Sequence, residues 1–315
     1  MFFPFLKPWL RSVKYNYLYK SACKHAADNS ISPVALPGAF IVGCGRSGTT
    51  LLGDILSSHN EVSYLFEPYY LWAAIDPRLD ILNLFADIEP SLYLDDSFFL
   101  AEHKHRFERC LTKFIQNKKA NLLIEKTPLN IFRIGWIEKI YPGAKFIHIV
   151  RDGFDVAKSI ERLATTNSYK IFGKPNLNQW WGNNNIKWKT LRKDSVSMKS
   201  HELREIDLLD THISKAAYEW SLSLKEAELW QAKLGDRFLA ITYQQLVEYP
   251  LEKLTEIACF LEIELDPIWL EKVISGIHSA KSYSSTQIVL PKAICREFNY
   301  YQEKYGFLPR AQSSN

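Results

Sequence analysis

Short apolar runs, each broken by a turn and followed by residues at helical period, organise this chain. Ala39-Phe40-Ile41-Val42 reads as a buried strand near 39–43, and Thr49-Thr50-Leu51-Leu52 opens a helix near 48–58. Val62-Ser63-Tyr64-Leu65-Phe66 is a second strand, closed at Glu67-Pro68 because proline pushes the preceding residue towards extended backbone. Asn121-Leu122-Leu123-Ile124 reads as a third strand, after which Pro128 starts a helix running to about Ile140. Lys145-Phe146-Ile147-His148-Ile149-Val150 is a fourth, followed by a helix over 154–163. A polar stretch at 165–210 holds one or two helices, and a long helix spans 211–234. A last core strand at 237–241 precedes short helices near 251–261 and 267–276.

Strands alternating with helices at this spacing build βαβ units. The expected fold is α/β: a P-loop-like parallel sheet of four to five strands flanked by helices. Residues 76–120 lack clean alternation and read as mixed helices. The chain divides into an N-terminal arm, 1–37, and a single domain, 38–310, with helical insertions at about 68–120 and 165–235.

The turn after the first strand carries the most chemistry. Gly43, Gly45 and Gly48 punctuate it, with the Gly43-x4-Gly48 spacing of a Walker loop. Such a turn aims backbone N–H groups and the positive end of a helix at an anion, typically a phosphate. Thr49 stands where a nucleotide triphosphatase carries lysine, and the cation comes earlier, at Arg46. That favours a nucleotide with a short phosphate chain and a different transferred group. Three more polar groups fall at the C-terminal ends of predicted strands, where open parallel sheets bind ligands. They are Glu67, the Glu125-Lys126-Thr127-Pro128 segment, and Arg151-Asp152 with Ser159 two turns into the next helix.

Composition narrows the class only a little. The 315 residues are 47% hydrophobic with a formal charge of +4, which fits an anionic small ligand and argues against a nucleic-acid surface. The five cysteines are scattered, with neither a C-x2-C pair nor a zinc-spaced cluster, so no metal is expected and a reducing compartment is. The first residues, MFFPFLKPWLRSVKYNYLYK, are aromatic and basic, with no acidic residue before Asp28. Pro4, Lys7 and Pro8 interrupt the apolar run, so this is not a signal peptide. The arm either packs on its own domain or rests on an anionic membrane surface. A cytoplasmic protein, peripheral to the membrane if the arm docks there, is the expectation.

Residues 46–50, RSGTT, together with Arg151 and Ser159 eight residues apart, resemble the PAPS-dependent sulfotransferases (PAPS is 3′-phosphoadenosine 5′-phosphosulfate). Asp155-Val156-Ala157 and the segment ITYQQLVEYPLEKLTEIACFL at 241–261 fit the same family, and the resemblance covers about residues 38–265. It implies that Arg46, Ser47, Gly48, Thr49 and Thr50 hold the 5′-phosphosulfate, that Arg151 and Ser159 hold the 3′-phosphate, and that Tyr243 lies near the adenine. Relatives acting on small phenols use a histidine in a K-T-H segment, but this chain reads Lys126-Thr127-Pro128. Relatives acting on protein tyrosines and glycans use a glutamate after the second strand, and Glu67 lies 21 residues beyond Arg46 as that pattern requires. The resemblance therefore implies Glu67 as general base, Lys126 and Arg46 as stabilising cations, PAPS as co-substrate without a metal, and a glycan, glycolipid or protein-tyrosine hydroxyl as acceptor. It looks like a soluble, bacterial-type member.

Plainer readings stand beside these. Glu67 could cap the helix after Pro68, Lys126 could pair with Glu125, and Arg151 could pair with Asp152 or Asp155. Ser159 could be satisfied by its own helix. Trp180, Trp181 and Trp188 read as core before they read as a stacking platform, His148 as a satisfied core histidine, and His103 and His105 as solvated. The family's C-terminal R-K-G segment is missing, and Lys281, Lys292 and Arg296 are its candidate substitutes. Two rivals remain at this point: a P-loop kinase or NTPase, and a non-catalytic nucleotide-binding protein that kept the fold.

Overall fold

A computed structural model of the protein describes residues 6–94, 96–116, 120–198, 200–278 and 287–314. Helix α1 (Leu6–Ala27) precedes β1 (Gly38–Val42), α2 (Thr49–Ser57), β2 (Val62–Phe66), α3 (Tyr69–Ile75) and α4 (Ala101–Ile115). Next come β3 (Leu122–Lys126), α5 (Ile134–Ile140), β4 (Lys145–Val150) and α6 (Gly153–Thr166). The long helix His212–Leu234 and the strand Phe238–Thr242 complete the frame. The main sheet has five strands in the order β2, β3, β1, β4 and Phe238–Thr242, all parallel. This is the expected α/β sheet.

Side-chain alternation explains how β1 can be apolar throughout. Phe40 and Val42 enter one core layer, while Ala39 and Ile41 enter the other. β4 does the same, with Phe146 and Val150 on one face and Ile147 and Ile149 on the opposite face. A sheet covered on both sides needs such continuous runs, since every side chain meets a helix layer. β1 is central, with β3 on one side and β4 on the other, and the chain crosses between those sides after β3. The loop after β1 thus sits at the topological switch point, where parallel sheets leave a crevice at their C-terminal edge.

Two elements differ from the sequence expectation. The N-terminal arm is a 22-residue helix. Pro8 falls in its first turn, where the missing N–H has no helical partner to lose. Ala22 and Ala26 are buried, and the C-terminal carbonyl of Ala26 accepts from Arg109 on α4. One face of the arm therefore packs on its own domain. The segment after Pro128 is a 3-10 turn, Pro128–Arg133, before α5 begins. Asn130 turns in to donate to Glu125 and Arg133 turns in to the Leu79 carbonyl, which holds the backbone off a regular α-helix. The polar stretch holds two helices, Ile186–Ser197 and Leu203–Asp207, as expected, after a two-residue pairing of Leu177–Asn178 with Gly182–Asn183. Among the described residues no helix is long and apolar enough to cross a membrane.

Candidate active site

The loop after β1 is shaped for an anion. Gly48 adopts φ +102° and stands before the first residue of α2, and no side chain caps that helix. The leading N–H groups of α2 are thus left to whatever the loop binds. The Ser47 hydroxyl, 1% exposed, has no hydrogen-bond partner among the described residues. A buried hydroxyl in that state is costly unless a ligand oxygen meets it. Two aromatic rings press on the loop from either side. A Cβ at Gly48 would lie 2.5 Å from Tyr243 Cδ2, and one at Gly45 would lie 2.5 Å from Trp180 Cη2. Glycine is required at both places for this close approach.

Arg46, Ser159, Arg151 and Tyr243 gather on one side of the loop. Arg46 Nε donates to Ser159 Oγ at 3.0 Å, so the hydroxyl faces the loop and is not spent on its own helix. Arg151 pairs with Asp155 at 3.1 Å and its guanidinium lies 4.9 Å from the centre of the Tyr243 ring. The pairing with Asp155 is thus real, and it holds the Arg151 side chain at only 12% exposure beside the ring. Lys292 and Arg296 are exposed on the helix Lys292–Lys304, and among the described residues no hydrogen bond or ion pair ties them to this cluster; Lys281 lies outside the described residues.

Glu67, Lys126 and Thr50 gather on the other side. The parallel register sets Phe66 opposite Lys126, and Glu67 N–H donates to the Lys126 carbonyl at 2.9 Å, extending the ladder by one step. Lys126 Nζ then reaches Glu67 Oε1 at 2.6 Å and Thr50 Oγ1 at 3.2 Å, 3.9 Å above the Phe66 ring. The lysine side chain is fully buried and the glutamate is 30% exposed, so the pair opens towards solvent through its carboxylate. Lys126 does not pair with Glu125, and the residue preceding α3 is Pro68, so Glu67 is not a helix cap. Arg46 at φ +75° and Glu67 at φ +39° both sit in left-handed backbone. Such positions in non-glycine residues cost roughly 1–3 kcal/mol each and collect at functional sites.

Glu125 has a structural part beneath this pair. It is fully buried and accepts from Thr127, from Asn130 at 2.9 Å and from Trp72 at 3.3 Å. Burial pushes its carboxyl from 4.5 up to about 7, opposed by the hydrogen bonds from Thr127, Asn130 and Trp72. The folded state therefore holds a proton that the unfolded chain has released, and stability falls as pH rises from about 4.5 through about 7. Urea unfolding should show the wild type losing about 2–3 kcal/mol more than Glu125→Gln between pH 5 and pH 8. Parallel pH profiles would show that Glu125 is not the responsible group.

A cavity of about 520 Å³ opens beside the Glu67 carboxylate. Phe66, Tyr69, Tyr70, Tyr169 and Trp180 form much of its wall, and Tyr15 and Leu18 of α1 close another part. Sequence reading missed the buried ion pair in that wall: Lys187 Nζ to Glu219 Oε1 at 2.7 Å, with Trp180 Nε1 donating to Glu219 at 3.0 Å. Thirty-two residues separate the pair on two different helices, so no local pattern announces it. Of the three tryptophans, Trp181 is core at 1% exposure, Trp188 packs on it, and Trp180 faces the cavity.

Two histidine expectations are corrected. His103 is 2% exposed, not solvated, because His103, Phe107, Cys110 and Leu111 form the buried stripe of α4. Its Nδ1 accepts from Trp136 at 3.1 Å, so Nε2 carries the proton and donates to Asp76 at 3.0 Å. His105 is exposed as expected. His148 is buried as expected but not satisfied, since neither ring nitrogen has a partner among the described residues. Burial depresses it to about 3, which keeps the ring neutral.

Comparison with known proteins bears on the family and the fold. The chain is 27% identical over 187 residues to omega-hydroxy-beta-dihydromenaquinone-9 sulfotransferase of Mycobacterium bovis, covering 44% of this chain and 48% of that protein. It is 23% identical over 232 residues to protein-tyrosine sulfotransferase of Drosophila melanogaster, covering 72% of this chain and 38% of the relative. The chain thus spans about half or less of these curated relatives. A sulfotransferase from Mycobacterium avium shares the fold, with a TM-score of 0.51 over 94% of this chain and 82% of the other, at 12% identity. The profile of the sulfotransferase family matches residues 37–207, which take in the loop, Glu67, Lys126, Arg151 and Ser159, and the chain belongs to that family.

Proposed function

We propose that this chain moves the sulfuryl group of PAPS to a hydroxyl on an acceptor with an apolar, flat body, such as a lipid or a tyrosine side chain. The observation that carries the reading is the bridge made by Lys126, which touches Thr50 of the anion loop and the Glu67 carboxylate at once. Base and anion site are therefore adjacent. Glu67 accepts the acceptor's proton as its oxygen bonds to sulfur. The bond from sulfur to the bridging phosphate oxygen breaks, and its electron pair leaves on that oxygen as the bisphosphorylated nucleotide departs. Lys126, Arg46 and the N–H groups of residues 47–50 offset the charge that gathers there. The Ser47 hydroxyl, without a partner among the described residues, and the uncapped start of α2 fit the 5′ end, and Arg151 and Ser159 offer a second anion site for the 3′-phosphate.

The aromatic cavity wall favours the lipid and tyrosine end of the acceptor range over a free glycan. The mycobacterial and fly relatives, named for transfer to a dihydromenaquinone and to protein tyrosines, point the same way. Calorimetry tests the nucleotide part. PAP, the 3′,5′-bisphosphate left after transfer, should bind more tightly than AMP, and Arg151→Ala or Ser159→Ala should narrow that gap. A lost charge-assisted contact costs about 1.5–3 kcal/mol, or roughly ten- to a hundredfold. Equal affinity for AMP and PAP would sink the assignment of PAPS.

A further inference from the structure

Helix α1 packs with one face and leaves the other open. Trp9, Leu10, Val13 and Tyr17 are 49%, 51%, 48% and 71% exposed and fall on one stripe of its first half. The stripe continues into exposed Lys20 and Lys24, and exposed Lys7 and Lys14 run along its edge. Leu6–Ala27 contains no acidic residue. A second segment joins this face. Arg11 donates to the Lys170 carbonyl at 3.0 Å and stacks 4.4 Å over the Tyr169 ring, while Phe172 N–H donates to the Pro8 carbonyl at 3.4 Å. These bonds hold Phe172, 62% exposed, and exposed Lys170 at the same end of the helix.

We infer that this face docks on an anionic lipid bilayer. Aromatic and aliphatic side chains among lysines, with no carboxylate in the helix, match an interface with apolar depth and negative headgroups. The cavity wall makes the docking productive. Lys14, Tyr15 and Leu18 of the same helix, and Tyr169 of the tied loop, line the cavity that holds Glu67. A docked α1 sets the cavity beside the bilayer, so a hydroxyl carried on a lipid reaches Glu67 without crossing water. This second step rests on the proposed transfer reaction; the docking itself does not.

Vesicle co-sedimentation separates the two. Full-length protein, without nucleotide or acceptor, is mixed with vesicles of phosphatidylcholine alone or with 30 mol% phosphatidylglycerol, a composition of roughly the charge at which such attraction is felt. Binding should require the anionic lipid and weaken about tenfold or more between low and high salt. Lys20→Glu/Lys24→Glu should lose about twentyfold or more, since each basic residue near the surface contributes about fivefold. Trp9→Ser/Val13→Ser should lose binding at every salt concentration. PAP affinity measured on the same variants shows that the fold is intact, because none of the four residues lines the site. Docking is overturned if the wild type ignores anionic vesicles or if the lysine variant binds equally. A dimer dispersed by Trp9→Ser/Val13→Ser, with no vesicle binding, would overturn it in favour of a second copy of this chain.

Discussion

Glu67→Gln is expected to lower single-turnover sulfate transfer by about 10²–10⁴-fold while leaving PAP affinity nearly unchanged. Glutamine keeps the side-chain shape and the hydrogen bond from Lys126, but it cannot take a proton at Oε1. The carboxylate is 30% exposed and faces the cavity, so the substitution disturbs no packing. Its backbone at φ +39° is unchanged by the swap, and strain at that position remains. Loss therefore falls on the chemical step alone. The measurement is transfer from labelled PAPS to the acceptor, with PAP binding on the same protein. Near-full turnover would place the base elsewhere. His103 is already unsuited to that role, since both its nitrogens are engaged in the core with Asp76 and Trp136. His105 and the 165–210 segment would be the next candidates, and the acceptor class inferred from the glutamate would fall too.

The anion loop was legible in the sequence because its signal is local. An apolar strand, glycines at fixed intervals and a helix start occur within a dozen residues, and backbone geometry alone makes the site. Glu67 and Lys126 were legible as strand ends and as neighbours, with the cation expected beside the carboxylate, but the direct contact and its geometry were not. It depends on β2 and β3 pairing in parallel with Phe66 opposite Lys126, across an insertion that the sequence does not register. The Lys187–Glu219 pair was hidden because it joins the polar 165–210 stretch to the long helix after it, two segments whose packing no local pattern gives. His103 misled because Glu102, Lys104 and His105 beside it are polar, which masks the helical stripe through Phe107 and Cys110. Helix α1 was obscured by Pro8 and by apolar residues on both faces: one set is buried on the domain, while Trp9, Val13 and Tyr17 are exposed.

Lys126→Ala should also lower turnover, by about 10²–10³, and unlike Glu67→Gln it should weaken PAP binding several-fold. The difference follows from position. Nζ touches Thr50, within the loop that would hold the 5′ end, as well as Glu67. Removing it takes a cation from the leaving oxygen and from the ground-state anion alike, and the first loss is larger because charge builds there in the transition state. Lys126→Arg should rescue little. The ammonium is wholly buried, 3.9 Å above the Phe66 ring and 2.6 Å from Glu67, and a planar guanidinium does not fit a slot made for a point charge. The double variant Glu67→Gln/Lys126→Ala gives the sharpest reading. If the lysine joins base and leaving group in one unit, the double variant should be little worse than the poorer single one. Losses that multiply would show two independent groups, and the bridge through Thr50, Lys126 and Glu67 would then be a structural ion pair beside the reaction, not part of it.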